Sequence, residues 1–188
     1  HNSVAESFEG TGSGGPQAVH SSDLTAKKSW FMFDEEIVAL GSGINSSDGF
    51  EVYTTVENRK LSSGEILADG SALQGDEGKT SARWINADSN GYCFPDGSET
   101  DFRIRTASGK KFFELWKSHG KSPESAKYSY VLLPCASAAE TAEYAANPRT
   151  AVIENSDTLQ AVEKASSGLC GMVFWSAGSC RGVSVSDS

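Results

Sequence analysis

Apolar and polar residues alternate with a period of two along residues 50–57, which read FEVYTTVE. This alternation is typical of a strand with one buried face, because successive side chains in a strand point to opposite faces of the sheet. Other short runs rich in β-branched and aromatic residues occupy residues 28–34, 36–40, 80–85, 91–94, 101–105, 111–117 and 128–133. Glycine, serine, asparagine and aspartate separate these runs and supply turn chemistry. Strands at this spacing predict an all-β, antiparallel sandwich.

One helix interrupts the strands. Ser137 and Glu140 have the spacing of a capping box, in which each side chain accepts a hydrogen bond from the backbone amide of the other. An alanine-rich run follows, and Asn147-Pro148 ends it. Three short strands, at residues 151–154, 159–163 and 172–175, then predict a second, smaller sheet.

These elements divide the chain into three parts. Residues 1–22 are polar and irregular and predict a flexible lead-in. Residues 23–136 form the β-sandwich portion, and residues 137–188 form the helix and the start of a small C-terminal β domain. Residues 1–15 lack the apolar centre of a secretion signal, but this is uninformative because a mature chain would already have lost one. We expect a secreted, extracellular protein.

Composition excludes two classes of partner. The 188 residues carry a formal net charge of −9, whereas binding to nucleic acid needs a basic surface. No apolar run approaches the roughly 20 residues that cross a bilayer. We therefore expect neither nucleic acid nor a membrane as partner, and a site for an acidic polymer has to be a local basic patch.

The sequence indicates no cofactor. The four cysteines and three histidines lack the spacing of a zinc site. Asp34, Glu35 and Glu36 form an acidic run that could bind calcium. Consecutive strand residues point to opposite faces, however, so we expect a solvated hairpin tip instead. Cys170 and Cys180 bracket a short apolar stretch and favour a disulfide across a hairpin, with two buried free thiols as the alternative.

We find no catalytic constellation in the sequence. His119 follows a predicted strand, where a capping or surface role is more common than that of a general base. The motifs of nucleophile elbows and zinc proteases are absent. Nothing marks a pair of carboxylates for glycoside hydrolysis.

Four residues are candidates for binding a sugar polymer. Arg103 and Arg105 share a strand face by the period of two and could grip a carboxylate or sulfate, with an ordinary charged sheet face as the alternative. The tryptophans lie in apolar strands, which favours burial. Trp84 is the best candidate for exposure, because Arg83 and Asn86 flank it beside a loop.

Six ordered blocks resemble polysaccharide lyase family 8, which includes hyaluronate, chondroitin AC and xanthan lyases. They run from about Lys27 to Gly178 and read KKSWFMFDEEIVALGSGI with TTVENRK, ARWIN with NGYCFPDG, FFELWKSHGKSPESAKYSYVLLP, ASAAETAEYAANP, VIENSDTLQAV and MVFWSAG. Residues 98–110 depart from the family, in which this segment is longer and contains a tryptophan, so Arg105 is an incomplete match to the family's arginine.

The resemblance implies a galactose mutarotase-like β super-sandwich and the start of a terminal β domain. It also implies cleavage of a uronic-acid polysaccharide by β-elimination. The family's catalytic residues lie on a helical domain whose motifs do not occur here, so none is assigned to this chain. We therefore expect a partner helical domain or chain of the same lyase, and an acidic polysaccharide bound by Arg103, Arg105, Trp84 and Asn86. The alternatives are a free-standing carbohydrate-binding module or lectin and, more remotely, a glycosidase or sugar epimerase.

Overall fold

The computed structural model describes residues 22–62 and 65–186, so all but the last residue of the predicted lead-in lies outside the described residues. The strands are β1 Thr25–Met32, β2 Ile37–Asn45, β3 Glu51–Lys60, β4 Ile66–Ala68, β5 Ser71–Ala72, β6 Glu77–Thr80, β7 Trp84–Ala87, β8 Asn90–Cys93, β9 Thr100–Ala107, β10 Lys110–Lys121, β11 Ala126–Leu133, β12 Thr150–Asn155, β13 Leu159–Lys164, β14 Leu169–Phe174, β15 Gly178–Cys180 and β16 Val183–Val185. The one helix of the described residues is α1, Ala138–Ala146. Every strand pair is antiparallel, which confirms the predicted fold class.

Two sheets face each other and enclose the main core. One has seven strands in the order β1-β2-β11-β8-β7-β4-β5, and the other has four in the order β3-β10-β9-β6. Strand β10 shows how the alternation directs side chains: Phe113 and Leu115 are fully buried, whereas Phe112 and Glu114 face outward. The core between the sheets contains Leu61, Ile66, Ile85, Tyr92, Phe94, Phe102, Phe113 and Leu115. Burying each of the large side chains contributes about 2 kcal/mol.

The seven-stranded sheet is the middle layer of the molecule. Its second face carries Phe31, Val38 and Val131, which share a hydrophobic cluster with Tyr144 of α1 and Val162 of β13. Strands β12, β13 and β14 form the small three-stranded sheet that the sequence predicts, and β15 pairs with β16 in a further hairpin that it does not predict. The small sheet and the helix therefore pack on the same side.

A polar contact joins the small sheet to the middle layer. Gln160 of β13 is completely buried, and its amide nitrogen lies 3.2 Å from the Lys27 carbonyl oxygen and 3.1 Å from the Ser42 hydroxyl oxygen. The Trp175 indole lies 3.3 Å from the Gln160 amide oxygen. Both ends of this buried amide are thus hydrogen-bonded, which offsets the free energy of removing it from water.

The capping box at the start of α1 is confirmed. The Ser137 hydroxyl accepts from the Glu140 backbone amide at 3.2 Å, and the Glu140 carboxylate accepts from the Ser137 amide at 2.8 Å. The helix packs against β7 and β8. A Cβ at Gly91 of β8 would lie 2.4 Å from the Thr141 hydroxyl oxygen, so this close approach requires glycine. The predicted division of the chain after residue 136 stays a prediction.

Three local predictions need correction. Residues 59–79, for which no strand was predicted, hold the short strands β4, β5 and β6. His119 lies within β10 rather than beyond it. The disulfide is not formed, since Cys170 and Cys180 are free thiols; Cys170 lies opposite Glu163 and Cys180 opposite Val183, so the two belong to different strand pairs. The described part of the chain contains no helix with the length and apolarity that spanning a bilayer requires.

Candidate functional site

Arg103 and Arg105 lie on the outer face of the four-stranded sheet, as their period of two predicts. In the register of β9 and β10, Arg103 stands opposite Glu114 and Arg105 opposite Phe112. The two arginine side chains are 49% and 44% exposed. Solvent therefore reaches both guanidinium groups, and a ligand could too.

Both arginines already have carboxylate partners. Arg105 Nε lies 2.7 Å from Glu114 Oε1, and Arg103 Nη1 lies 3.6 Å from Glu114 Oε2. Arg103 Nε is also 3.5 Å from Glu77 Oε2. Two guanidinium groups thus face two carboxylates, and their charges balance. An acidic polymer that binds here has to compete with Glu114 and Glu77 for the same donors.

Aromatic rings flank the arginines, which the sequence analysis did not predict. The Arg105 guanidinium lies 4.5 Å from the centre of the Phe112 ring, and that of Arg103 lies 5.7 Å from the Trp116 ring. Tyr53 of β3 is 61% exposed. It pairs with Ser118, which follows Trp116 by two residues on the same face of β10. We call Arg103, Arg105, Phe112, Trp116 and Tyr53 the arginine–aromatic face.

This face has the chemistry of a sugar-binding surface. Planar rings stack on the apolar faces of sugars, and guanidinium groups bind carboxylates with two parallel hydrogen bonds. Trp116 was expected to be buried with the other tryptophans, yet it is only half-buried because its position on β10 points away from the core. Counting alternate residues from the buried Phe113 could have revealed this.

Trp84 and Asn86 lie on the other sheet and do not join the arginines. The expected exposure of Trp84 is wrong: it is 9% exposed, because α1 covers its face of the sheet and Tyr144 and Ala145 share its hydrophobic cluster. Asn86 is 8% exposed, and its amide donates to the Ala136 carbonyl and the Thr141 hydroxyl, each at 2.8 Å. Their role in substrate binding stays a prediction, whereas these contacts give Asn86 a clear structural role in holding α1.

Lys117 of β10 does not share the outer face of the sheet with the arginines. Lys117 faces the core and is 4% exposed; its ammonium lies 3.6 Å from Asp96 Oδ1 and 4.7 Å from the centre of the Phe94 ring. Burial lowers the pKa of Lys117, and the carboxylate of Asp96 opposes this shift. Lys117 therefore adds no charge to the outer face.

The acidic run between β1 and β2 is a solvated tip only in part, since Asp34 and Glu35 are exposed but Glu36 is not. Glu36 is 1% exposed, and its Oε2 lies 3.3 Å from Arg149 Nη2. Arg149 also pairs with Glu35 at 3.0 Å, and Lys164 pairs with Asp34 at 2.6 Å. The turn folds onto the end of β13 and the segment after α1, which supply these cations. No group of three or more His, Cys, Asp or Glu side chains in residues 22–62 and 65–186 is arranged to hold a metal ion.

Two family models match the chain in tandem. Residues 6–145 match the polysaccharide lyase family 8 super-sandwich domain, and residues 151–188 match the family's C-terminal β-sandwich domain. The chain is 36% identical to xanthan lyase of Bacillus sp. strain GL1 over 184 residues, which cover 81% of this chain and 20% of that protein. It is 31% identical to chondroitinase-AC of Pedobacter heparinus over 179 residues, which cover 86% of this chain and 26% of the relative.

Solved structures agree with these sequence matches. A Paenibacillus xanthan lyase superposes on 85% of the chain with a TM-score of 0.73 and 37% identity, and the match covers 18% of that structure. A chondroitinase AC lyase, solved with oligosaccharides, superposes on 82% of the chain with a TM-score of 0.72 and 30% identity, covering 26% of its own length. The chain therefore spans about a fifth to a quarter of the length of these relatives, and it belongs to polysaccharide lyase family 8.

Proposed function

We propose that this chain is the β-sandwich portion of a lyase that cleaves a uronic-acid polysaccharide by β-elimination. Its role is to form a wall of the substrate cleft and to position the polymer, while the catalytic residues lie on a helical domain or partner chain. The observation that carries this proposal is the tandem match to the family's two β domains, in relatives named for xanthan, chondroitin and hyaluronate.

The chemistry of elimination supports this division of labour. The reaction needs a base, a proton donor for the leaving oxygen, and neutralisation of the uronate so that its α-proton becomes acidic. The arginine–aromatic face offers rings and guanidinium donors, but its one central carboxylate, Glu114, is held by both Arg103 and Arg105. Such a surface is suited to holding a polymer in place, which contributes to catalysis by orientation. Because such polymers lie outside cells, we expect the chain to act there.

The role of the arginines is tested by a double substitution. The wild-type chain and the R103A/R105A variant are compared for binding to hyaluronan and chondroitin sulfate by affinity electrophoresis. We expect the variant to bind on the order of fivefold more weakly, with a larger difference at low salt, because exposed charge contacts are screened. The matched control is K127A/R181A, which removes two exposed cations elsewhere. Equal affinity of R103A/R105A and wild type would remove the arginines from the binding surface.

A free-standing carbohydrate-binding module remains the competing function. The presence or absence of a helical polypeptide attached to this chain distinguishes it from a portion of a lyase. Native mass spectrometry of the protein purified from its source measures whether a larger helical polypeptide is covalently joined to, or tightly bound by, this chain. Such a polypeptide supports the lyase. A free chain of 19.9 kDa that binds acidic polymer by itself supports the binding module.

A further inference from the structure

A second cluster of cationic and aromatic groups lies at the β1 edge of the middle layer, away from the arginine–aromatic face. Lys28 of β1, Gly41 of β2 and Tyr128 of β11 are successive partners across three strands. The Tyr128 ring covers Gly41 so closely that a Cβ there would lie 2.0 Å from Tyr128 Cε1. The glycine thus lets the tyrosine lean toward β1, where the Lys28 ammonium is 6.0 Å from the ring centre.

The facing sheet adds a histidine to this edge. The His119 ring centre is 6.1 Å from that of Tyr128, and its Nε2 lies 2.9 Å from the Thr54 hydroxyl oxygen. Burial lowers the pKa of His119, and the ammonium groups of Lys28 and Lys117 lower it further. These effects favour the neutral form of the imidazole.

Lys28 differs from the arginines because no carboxylate of the described residues pairs with it. Within the described residues, Lys28 has no carboxylate in ion-pairing distance, and Tyr128 is 3% exposed. The Lys28 ammonium and the His119 ring centre thus lie 6.0 Å and 6.1 Å from the centre of the Tyr128 ring. An incoming carboxylate or sulfate displaces no internal ion pair here, whereas Arg103 has to release Glu77 and Glu114.

Trp30 provides a stacking surface beside these donors. It follows Lys28 by two residues, so both point to the same face, about 7 Å apart along the strand. Its side chain is 55% exposed. Trp30 and Tyr130 both pair with Ala39 of β2, and the Tyr130 ring stacks on that of Tyr128 with 6.0 Å between ring centres. One sugar ring with its charged substituent spans a distance of this size.

We propose that Lys28, Tyr128 and His119 bind the carboxylate or sulfate of one acidic sugar residue whose ring stacks on Trp30. The choice of an acidic polysaccharide as ligand rests on the proposed function. The location does not, because Lys28, Trp30 and Tyr128 lie on the seven-stranded sheet, whereas Arg103 and Arg105 lie on the four-stranded sheet, and different substitutions test the two sets.

The test uses the whole chain and three variants. K28Q removes the ammonium, Y128F removes the hydroxyl while keeping the ring over Gly41, and W30A removes the stacking surface. Affinities for hyaluronan oligosaccharides, chondroitin sulfate oligosaccharides and a neutral glucan are measured by isothermal titration calorimetry. The matched control is K127Q, which makes the same charge change at an exposed lysine on the opposite face of β11.

We expect K28Q and W30A each to weaken binding of the acidic oligosaccharides about tenfold, and Y128F to weaken it less. K127Q should bind as wild type, and the neutral glucan should bind weakly to every variant. If the substitutions weaken binding of both acidic oligosaccharides, the bound group is the carboxylate, since hyaluronan carries no sulfate. If they weaken binding of chondroitin sulfate alone, the bound group is the sulfate.

Two outcomes would overturn the subsite, and they are distinguishable. If wild type binds the oligosaccharides and R103A/R105A weakens binding while K28Q and W30A do not, the proposed function stands and this subsite is rejected. If wild type binds none of the acidic oligosaccharides, the subsite and the positioning role both fail.

Discussion

His119 makes the stability of the folded chain depend on pH. Burial disfavours its charged form, and Lys28 and Lys117 add repulsion, so its pKa in the folded chain lies below the usual 6.5. Below pH 6.5 the unfolded chain therefore binds a proton more readily than the folded chain does. The free energy of unfolding therefore decreases as the pH falls from 6.5 through the pKa that His119 has in the folded chain.

A substitution at His119 measures this effect. We expect the free energy of unfolding of wild type to decrease between pH 7.5 and pH 5, and that of H119Q to decrease less, because glutamine does not titrate. The carboxylates with lowered pKa values, such as Asp96, lose their protons well below this window. Urea denaturation at the two pH values gives the comparison. The same decrease in both proteins would assign the pH dependence to other groups.

Some side-chain positions follow from sequence alone and others need the register between strands. The shared face of Arg103 and Arg105 follows from the period of two within one strand. Their pairing with Glu114 does not, since it depends on which residue of β10 stands opposite each arginine. The free edge at Lys28 was missed for the same reason, because its neighbour Tyr128 is about a hundred residues away in the chain and joins it only through β2.

At the scale of the element, strand existence is easier to predict than strand position in a sheet. The alternation along β3 and the apolar runs of β10 and β11 predicted those strands. The burial of Trp84 depends instead on α1, whose Tyr144 and Ala145 share its hydrophobic cluster. That contact joins segments far apart in the chain, and no local pattern in residues 80–94 contains it.

Helix α1 depends on a side chain outside itself. Asn86 donates to the Ala136 carbonyl and to the Thr141 hydroxyl from a nearly buried position. We expect N86A to lower the free energy of unfolding by about 2 kcal/mol, because it removes two hydrogen bonds and leaves buried acceptors unpaired. N58A, at an exposed site on β3, is the control and should change it by less than about 0.5 kcal/mol. Equal stability of the two variants in urea would show that α1 does not need this anchor.

At the scale of the whole molecule, the charged cluster beside β2 connects the middle layer to the C-terminal sheet. Glu36 is buried, and its cations come from the segment after α1 and from the end of β13. Neither Glu36 oxygen has a hydrogen bond within the described residues, so ion pairing alone offsets its removal from water. The sequence could not reveal this, since Arg149 is more than a hundred residues from Glu36.

Removing one cation of the cluster tests this connection. We expect R149M to lower the free energy of unfolding by about 2 kcal/mol, less than for a fully buried pair because Arg149 is half-exposed and Lys164 remains. Adding E36Q to R149M should restore part of the loss, because the uncompensated charge disappears. Denaturant unfolding of the two variants and wild type measures both effects. R149M with wild-type stability, or no recovery in the double variant, would contradict this account.

The proposed division of labour between a positioning sandwich and a separate helical catalytic part is tested with the isolated chain. The 188-residue chain is mixed with hyaluronan, chondroitin sulfate or xanthan, and the ultraviolet absorbance of the unsaturated uronate that β-elimination produces is followed over time. We predict that the chain binds acidic polymer and that the absorbance does not rise. A rise in absorbance in proportion to the concentration of the chain would contradict the proposal, because the catalytic groups would then lie within these residues.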